Sequence, residues 1–245
     1  MKNKTCRIFV IPRSIIFGLS IALIVSGITL TLFGGFNIYK TTQVMAVPLE
    51  GKVILLDPGH GGADAGASEG SAVEKTINLE VANFLKEYIE ENGGIAYMTR
   101  VEDTNTADPN RPKGMTQKMS DLKTRKKNID DYNADIFISI HMNKFGQSQY
   151  RGFQVFYDGS STESKKLGEH LQQSVFDVLQ DGNTRKAKAT GSSIFVLKGN
   201  TVPSALVECG FLSNPDERKL LTTPEYQRKI AWGIYLGIMR YLAKN

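Results

Sequence analysis

Residues 52–62 read KVILLDPGHGG, and the reading of the chain works outward from this stretch. Val53 to Leu56 is an unbroken apolar run that stops at the turn-forming Asp57-Pro58-Gly59. A short strand that is apolar at successive positions buries both faces, as strands do in parallel sheets covered by helices. Downstream, Ile77, Val81, Phe84, Leu85, Tyr88 and Ile89 form an apolar stripe that predicts a helix from Ser71 to about Glu91, ended by Asn92-Gly93-Gly94. A second strand is expected over 94–99, and a basic helix over about 121–132 feeds an apolar strand, Asp135 to Ile140, that stops at His141. Further strands are predicted over 152–157, 193–197 and 204–207, and an amphipathic helix over 164–179. At the C-terminal end Tyr226, Ile230, Ile234, Ile238 and Leu242 recur every four residues and predict a helix. Strands alternating with helices give the expected fold class: α/β, a single domain with a mostly parallel, mixed and twisted sheet flanked by helices on both faces. Residues 101–120 contain Pro109 and Pro112 and no period, which reads as a mobile functional loop or local disorder.

The start of the chain is different. Ser14 to Phe33 carries no charge over twenty residues, enough for a helix to cross roughly 30 Å of hydrocarbon. Four basic residues precede the run and only Lys40 follows closely, which directs the later residues out of the cytoplasm. Residues 1–46 are therefore expected to be a signal peptide or membrane anchor with a linker, and 47–245 an exported domain. Val44-Met45-Ala46 would serve as a cleavage site, and cleavage and anchoring are both left open. The chain has 30 Lys plus Arg against 25 Asp plus Glu, and the leader holds Lys2, Lys4, Arg7, Arg13 and Lys40 with no acid. Residues after 46 are thus electrically balanced, so the basic pI gives no case for nucleic acid as a partner. Cys209 is the only cysteine after the leader, so no disulfide forms within that part.

In parallel α/β sheets ligands collect at the carboxyl ends of strands. Three predicted strands are followed within a few residues by His60, His141 and Glu208, and Glu74 lies near the start of the helix after the first. Two imidazoles and a carboxylate with a second carboxylate beside them are what a catalytic zinc site requires: three ligands, an open position for water, and a base. On this basis His60, Glu74 and His141 are the expected Zn2+ ligands and Glu208 the proton-transferring residue. Asp57 and Asn143 are candidates for supporting the ligands or meeting substrate, with turn formation as the competing role. For Glu74 the competing role is a helix cap, because Ser71-Ala72-Val73-Glu74 has the capping-box pattern. The glycines at 59, 61, 62, 66 and 70 are followed by no G-K-[ST] and make no GxGxxG, so they are read as letting backbone pass close to the site rather than cradling phosphate.

Five blocks, DPGHGG at 57–62, EKTIN at 74–78, TRVED at 99–103, SIHMN at 139–143 and ALVECGFLSNPDE at 205–217, together resemble the zinc-dependent N-acetylmuramoyl-L-alanine amidases of the third amidase family. The resemblance spans about residues 53–243. It implies an α/β fold and cleavage of the amide between the lactyl group of N-acetylmuramic acid and L-alanine of the stem peptide. It carries the zinc ligands onto His60, Glu74 and His141 and the catalytic glutamate onto Glu208. With one catalytic domain behind a membrane-crossing leader, the chain is similar to the spore-cortex amidases of endospore formers. These open the route to muramic lactam, so the implied partner is peptidoglycan, with room for an accessory protein. Two other classes compete: a cysteine-dependent amidohydrolase using Cys209 with His141, and a non-catalytic module that binds wall glycan. Strand alternation, which points Cys209 away from Glu208, weighs against the first.

Overall fold

The computed structural model describes Pro12, residues 49–191 and residues 193–244. The apolar leader and the domain boundary expected at residue 46 lie outside the described residues. Among the described residues no helix is long and apolar enough to cross a membrane.

The apolar run after Lys52 forms β1 (Val53–Pro58), and its alternate residues go to opposite faces as both-sided burial requires. Ile54 and Leu56 join the larger hydrophobic cluster, whereas Leu55 joins a smaller one on the other face. A two-residue hairpin, β2 (Ser68–Glu69) and β3 (Ala72–Val73), precedes α1 (Glu74–Glu91). Then come β4 (Ile95–Met98), α2 (Gln117–Asp131), β5 (Ile136–Asn143), β6 (Gln154–Asp158), α3 (Thr162–Leu179), β7 (Lys188–Thr190), β8 (Ser204–Phe211), α4 (Pro215–Leu221) and α5 (Pro224–Leu242). The main sheet has the order β4-β1-β5-β8-β6-β7. Strands β4, β1, β5 and β8 are mutually parallel, while β6 pairs antiparallel with β8 and carries β7 in parallel beside it. The mostly parallel, mixed α/β sheet is as expected.

Helices α1, α3 and α5 cover one face, where Leu85, Ile89, Leu171, Val175, Ile234 and Ile238 are fully buried. The other face is covered by α2 and the turns after residue 193, which bury Ile129, Val196 and Leu197 against Leu55, Phe137 and Leu206. This thinner layer leaves the carboxyl ends of β1, β5 and β8 accessible.

Several boundaries differ from expectation. Helix α1 starts at Glu74, because residues 71–73 turn into the β2–β3 hairpin and Val73 caps without a side-chain bond. Helix α2 starts four residues early, where Thr116 accepts a hydrogen bond from the Met119 amide. The strand expected at 193–197 is absent from the described residues there; the edge strand is Lys188–Thr190, and of 194–197 Val196 and Leu197 are buried, and Ile194 and Phe195 half-buried, from turns. Strands β5 and β8 run past His141 and Glu208, with a bulge between His141 and Asn143. Thr223-Pro224 splits the C-terminal helical region in two, with Thr223 capping the Tyr226 amide. Residues 101–120 are tied down: Asp103 accepts from the Gly62 amide, Thr106 bonds Asp121, and the Asp108 amide donates to Ser120.

Candidate metal centre

His60, Glu74 and His141 come together at the carboxyl edge of the sheet, offering ligand atoms that all lie within 4.8 Å of one another. Glu74 Oε1 is 3.2 Å from His60 Nε2 and 3.0 Å from His141 Nδ1. The two imidazoles meet edge to face, with centroids 5.0 Å apart. Parallel pairing sets Glu208 directly opposite His141 on the neighbouring strand.

Each residue reaches the site for a local reason. His60 follows β1 with φ of 62°, a left-handed conformation that costs a non-glycine residue energy unless neighbours enforce it. Arg125 and Arg100 enforce it. Arg125 donates to the carbonyls of Pro58 (2.8 Å) and His60 (2.6 Å), and Arg100 to those of Pro58 (2.9 Å) and Gly59 (3.0 Å). Glu74 is turned inward rather than back onto Ser71: Oε2 accepts from the Ala67 amide at 2.7 Å and Oε1 from the Met142 amide at 3.1 Å. The capping-box role is therefore not taken up. Glycine is required where backbone crosses these groups. A Cβ on Gly59 would lie 2.2–2.6 Å from three atoms of the His141 ring, and one on Gly66 would lie 2.5 Å from Glu74 Oε2 and 2.7 Å from His60 Cδ2.

The electrostatics separate the two glutamates. Burial opposes ionisation of Glu74, but its bonds to His141 and His60 outweigh burial and hold its carboxyl far below the usual range. Burial also acts against protonation of His60, and the Glu74 and Asp64 carboxylates overcome it and raise that imidazole's pKa. Nδ1 of His60 is 3.0 Å from Asp64 Oδ2, near enough for ionic attraction though out of line for a hydrogen bond. Glu208 has no such partner: burial, with Glu74 adding to it against the two histidines, pushes its pKa up to about 7. Its Oε2 is buried and accepts no hydrogen bond.

These observations test whether the residues fit a metal ion. Two nitrogens and one carboxylate oxygen match the donor set of a catalytic divalent site. Ligands bound tetrahedrally at about 2.0–2.1 Å lie roughly 3.3 Å apart, close to the separations from Glu74 Oε1. A buried carboxylate oxygen without a donor, beside such a cluster, is the arrangement of a base that stays off the metal. The residues fit.

Asp57 is buried behind the site, bonded to Arg125 (2.7 Å), Ser139 (2.7 Å) and Thr99 (2.8 Å), and these hold its carboxyl ionised against the cost of burial. Asn143 Oδ1 accepts from the Lys144 amide, so that side chain shapes the strand end. Cys209 lies on the opposite face in the main core, fully buried, and burial raises its thiol far above the ordinary range. A thiol so placed is no nucleophile for a site holding His141. Asp64, Asn78, Arg100 and Arg125 were not among the expected site residues. Asn78 donates to the Gly59 carbonyl at 3.1 Å from within the EKTIN block. Arg125 carried one signal, a basic residue at the helical spacing that faces the sheet.

An open, mixed α/β sheet with this donor cluster at its carboxyl edge is the architecture of one family of amide hydrolases. The profile of that family, Amidase_3, described as N-acetylmuramoyl-L-alanine amidase, matches residues 54–240, and the chain belongs to it: it is a peptidoglycan amidase. It is 43% identical over 201 residues to the germination-specific N-acetylmuramoyl-L-alanine amidase of Bacillus subtilis, across 82% of this chain and 84% of that protein. The solved CwlD amidase of Clostridioides difficile, in complex with the GerS lipoprotein, matches with a TM-score of 0.75 and 44% identity, over 79% of this chain and all of that one. LytC amidase of Bacillus subtilis is 28% identical, and this chain spans 38% of its length.

Proposed function

We propose that the chain is a zinc-dependent amidase of spore-cortex peptidoglycan, acting outside the cytoplasm, that removes stem peptides as the first step toward muramic lactam. His60, Glu74 and His141 are assigned as the zinc ligands and Glu208 as the catalytic acid and base. The observation that carries these roles is the contrast between Glu74, bonded from several sides, and Glu208, whose buried Oε2 has no donor. The cortex role is supported by the likeness to the germination-specific amidase, and an accessory lipoprotein partner by the likeness to the CwlD structure. Residues 1–46 are assigned to export, as a signal or anchor.

Zinc, when bound, supplies positive charge that polarises water and the lactyl carbonyl and brings the water's pKa toward neutrality. Glu208 accepts a proton from the attacking water, its buried Oε2 having no donor that competes for it. The same carboxyl then donates that proton to the nitrogen leaving from the lactyl carbon. The products are a lactyl carboxylate on the glycan and a free amine on L-alanine. Asp57 works at a distance by fixing Arg125, and Asn143 by shaping the strand end next to His141.

The test is metal content and turnover of muropeptides bearing stem peptides. Glu208→Gln is expected to keep zinc and lose at least about 10²-fold in rate; His60→Ala and His141→Ala are expected to lose the metal. Loss of zinc from Glu208→Gln would reverse the assigned roles.

A further inference from the structure

Beyond the metal cluster, the same edge of the sheet carries a cleft of about 340 Å³ where β6 begins, lined by Tyr150, Arg151, Asp181, Asn183 and Arg185. Resting on the amidase reading above, we propose that this cleft is a subsite for a carboxylate of the stem peptide, with Arg185 as the group that grips it.

Arg185 is set up as a receptor rather than as half of an ion pair. Its Nε donates to the Arg151 carbonyl and its Nη1 to Gln154 Oε1, both at 2.9 Å, and its Cζ lies 4.7 Å from the centroid of the Phe211 ring. Gln154 is fixed in turn by donating to the Lys186 carbonyl at 3.2 Å. The guanidinium is thus held by two neutral acceptors and an aromatic plane. Among the described residues no carboxylate lies within 4.0 Å of it, and Nη2 has no acceptor. Arg151, beside it, donates to the Asp181 carbonyl, and among the described residues no carboxylate oxygen lies within 4.0 Å of its side-chain nitrogens. The Asp181 carboxylate accepts from the Asn183 amide. A guanidinium held in place by two of its nitrogens, with Nη2 uncommitted, offers a carboxylate a charge-assisted hydrogen bond from a preset direction.

The position suits the leaving half of the substrate. Gln154 pairs with Glu208 across the antiparallel β6–β8 ladder, so Arg185 is anchored one strand from the proposed base. Arg151 and Gly152 lie two to three residues further along, roughly 7–10 Å at the strand rise. An extended peptide covers at most about 3.3–3.6 Å per residue. A stem peptide whose first amide is cleaved beside Glu208 therefore brings the carboxylate of its second or third residue to the cleft. Stem peptides carry such carboxylates, and the chain after the leader has no net charge to attract them nonspecifically.

The test compares kcat/KM of the zinc-loaded full chain on one muropeptide with free stem carboxylates and on the same muropeptide with those carboxylates amidated. The parent is expected to favour the free acid by roughly 10- to 100-fold, mainly through KM. Arg185→Ala should erase that preference, and Arg185→Lys should keep part of it, since it retains charge without the preset guanidinium. Melting midpoints equal to the parent's establish that the variants are folded. Equal rates of the parent on both substrates, or a preference that survives in Arg185→Ala, would overturn the subsite while leaving the amidase reading intact. Cleavage of neither substrate by the parent would overturn the amidase reading, and the subsite with it.

Discussion

Glu208 illustrates how placement alone sets the chemistry of a residue. In the metal-free chain its folded pKa of about 7 stands above the ordinary carboxylate value of 4.5. A raised pKa means that the stability contributed by the protonated carboxyl is fully present below about 4.5 and is lost as pH rises through about 7. The shift corresponds to at most about 3 kcal/mol. Glu208→Gln, which cannot ionise, is therefore expected to gain stability relative to the chelated parent between about pH 4 and pH 8, as read by paired thermal melts; parallel pH dependence in the two proteins would contradict the burial of Glu208. Gly66→Ala tests the close approach at the metal cluster. With φ of 65° and a Cβ that would strike Glu74 and His60, it is expected to cost about 1–3 kcal/mol and to weaken zinc binding at least tenfold in a competition titration. His60, His141 and Glu208 were legible in the sequence because each follows an apolar run that stops. Asp64 and Asn78 were not, because a polar residue in a turn or on a helix has many ordinary uses.

Helix α2 supports the site from behind through one buried side chain while its residues Lys118, Asp121 and Leu122 line the cleft beside His60 and His141. It docks through Arg125, which is 2% exposed and bonded at once to Asp57, Asp121 and two loop carbonyls. Breaking a buried pair leaves the partner charge uncompensated. Arg125→Met is expected to lose about 3–5 kcal/mol in urea unfolding and, because the His60 loop is freed, to bind zinc more weakly; unchanged metal affinity would confine Arg125 to stability. At the far side of the sheet Asn214 caps α4 by accepting from the Asp216 and Glu217 amides, and Asn214→Ala should cost about 1 kcal/mol. Elements with strong local signals were read correctly in kind, and their ends moved where a cap was overlooked, as at Thr116. Residues 193–197 carry four successive apolar side chains, Ile194 to Leu197, and so resemble a strand, yet Ile194, Val196 and Leu197 meet that demand by covering Leu206 from turns. Apolar character requires burial and does not dictate the backbone that achieves it.

For the molecule as a whole, a metal held as proposed would join residues contributed by three separate parts of the chain, so its removal is expected to act on activity and stability together. Chelation should abolish muropeptide hydrolysis and lower the melting midpoint, with both restored by zinc, since a ligand bound only by the folded state stabilises it. Cys209→Ala should retain most activity and lose on the order of 1 kcal/mol of stability, as expected of a side chain buried in the core behind the sheet. Activity that survived chelation and vanished with Cys209 would reverse both expectations.

The amino-acid sequence by itself determined that this is a layered α/β domain and that two histidines and a glutamate follow apolar strand segments, because alternation and apolar runs are local properties of the chain; that β5 and β8 continue past His141 and Glu208 was decided by their pairing. Tertiary structure decided what Glu74 does, which arginines hold the His60 loop, that β6 runs against β8, and that Cys209 is sealed away from the site. Each of these turns on contacts between residues far apart in sequence, such as the 68 positions separating Asp57 from Arg125, and such pairings exist only once the sheet has set its strand order.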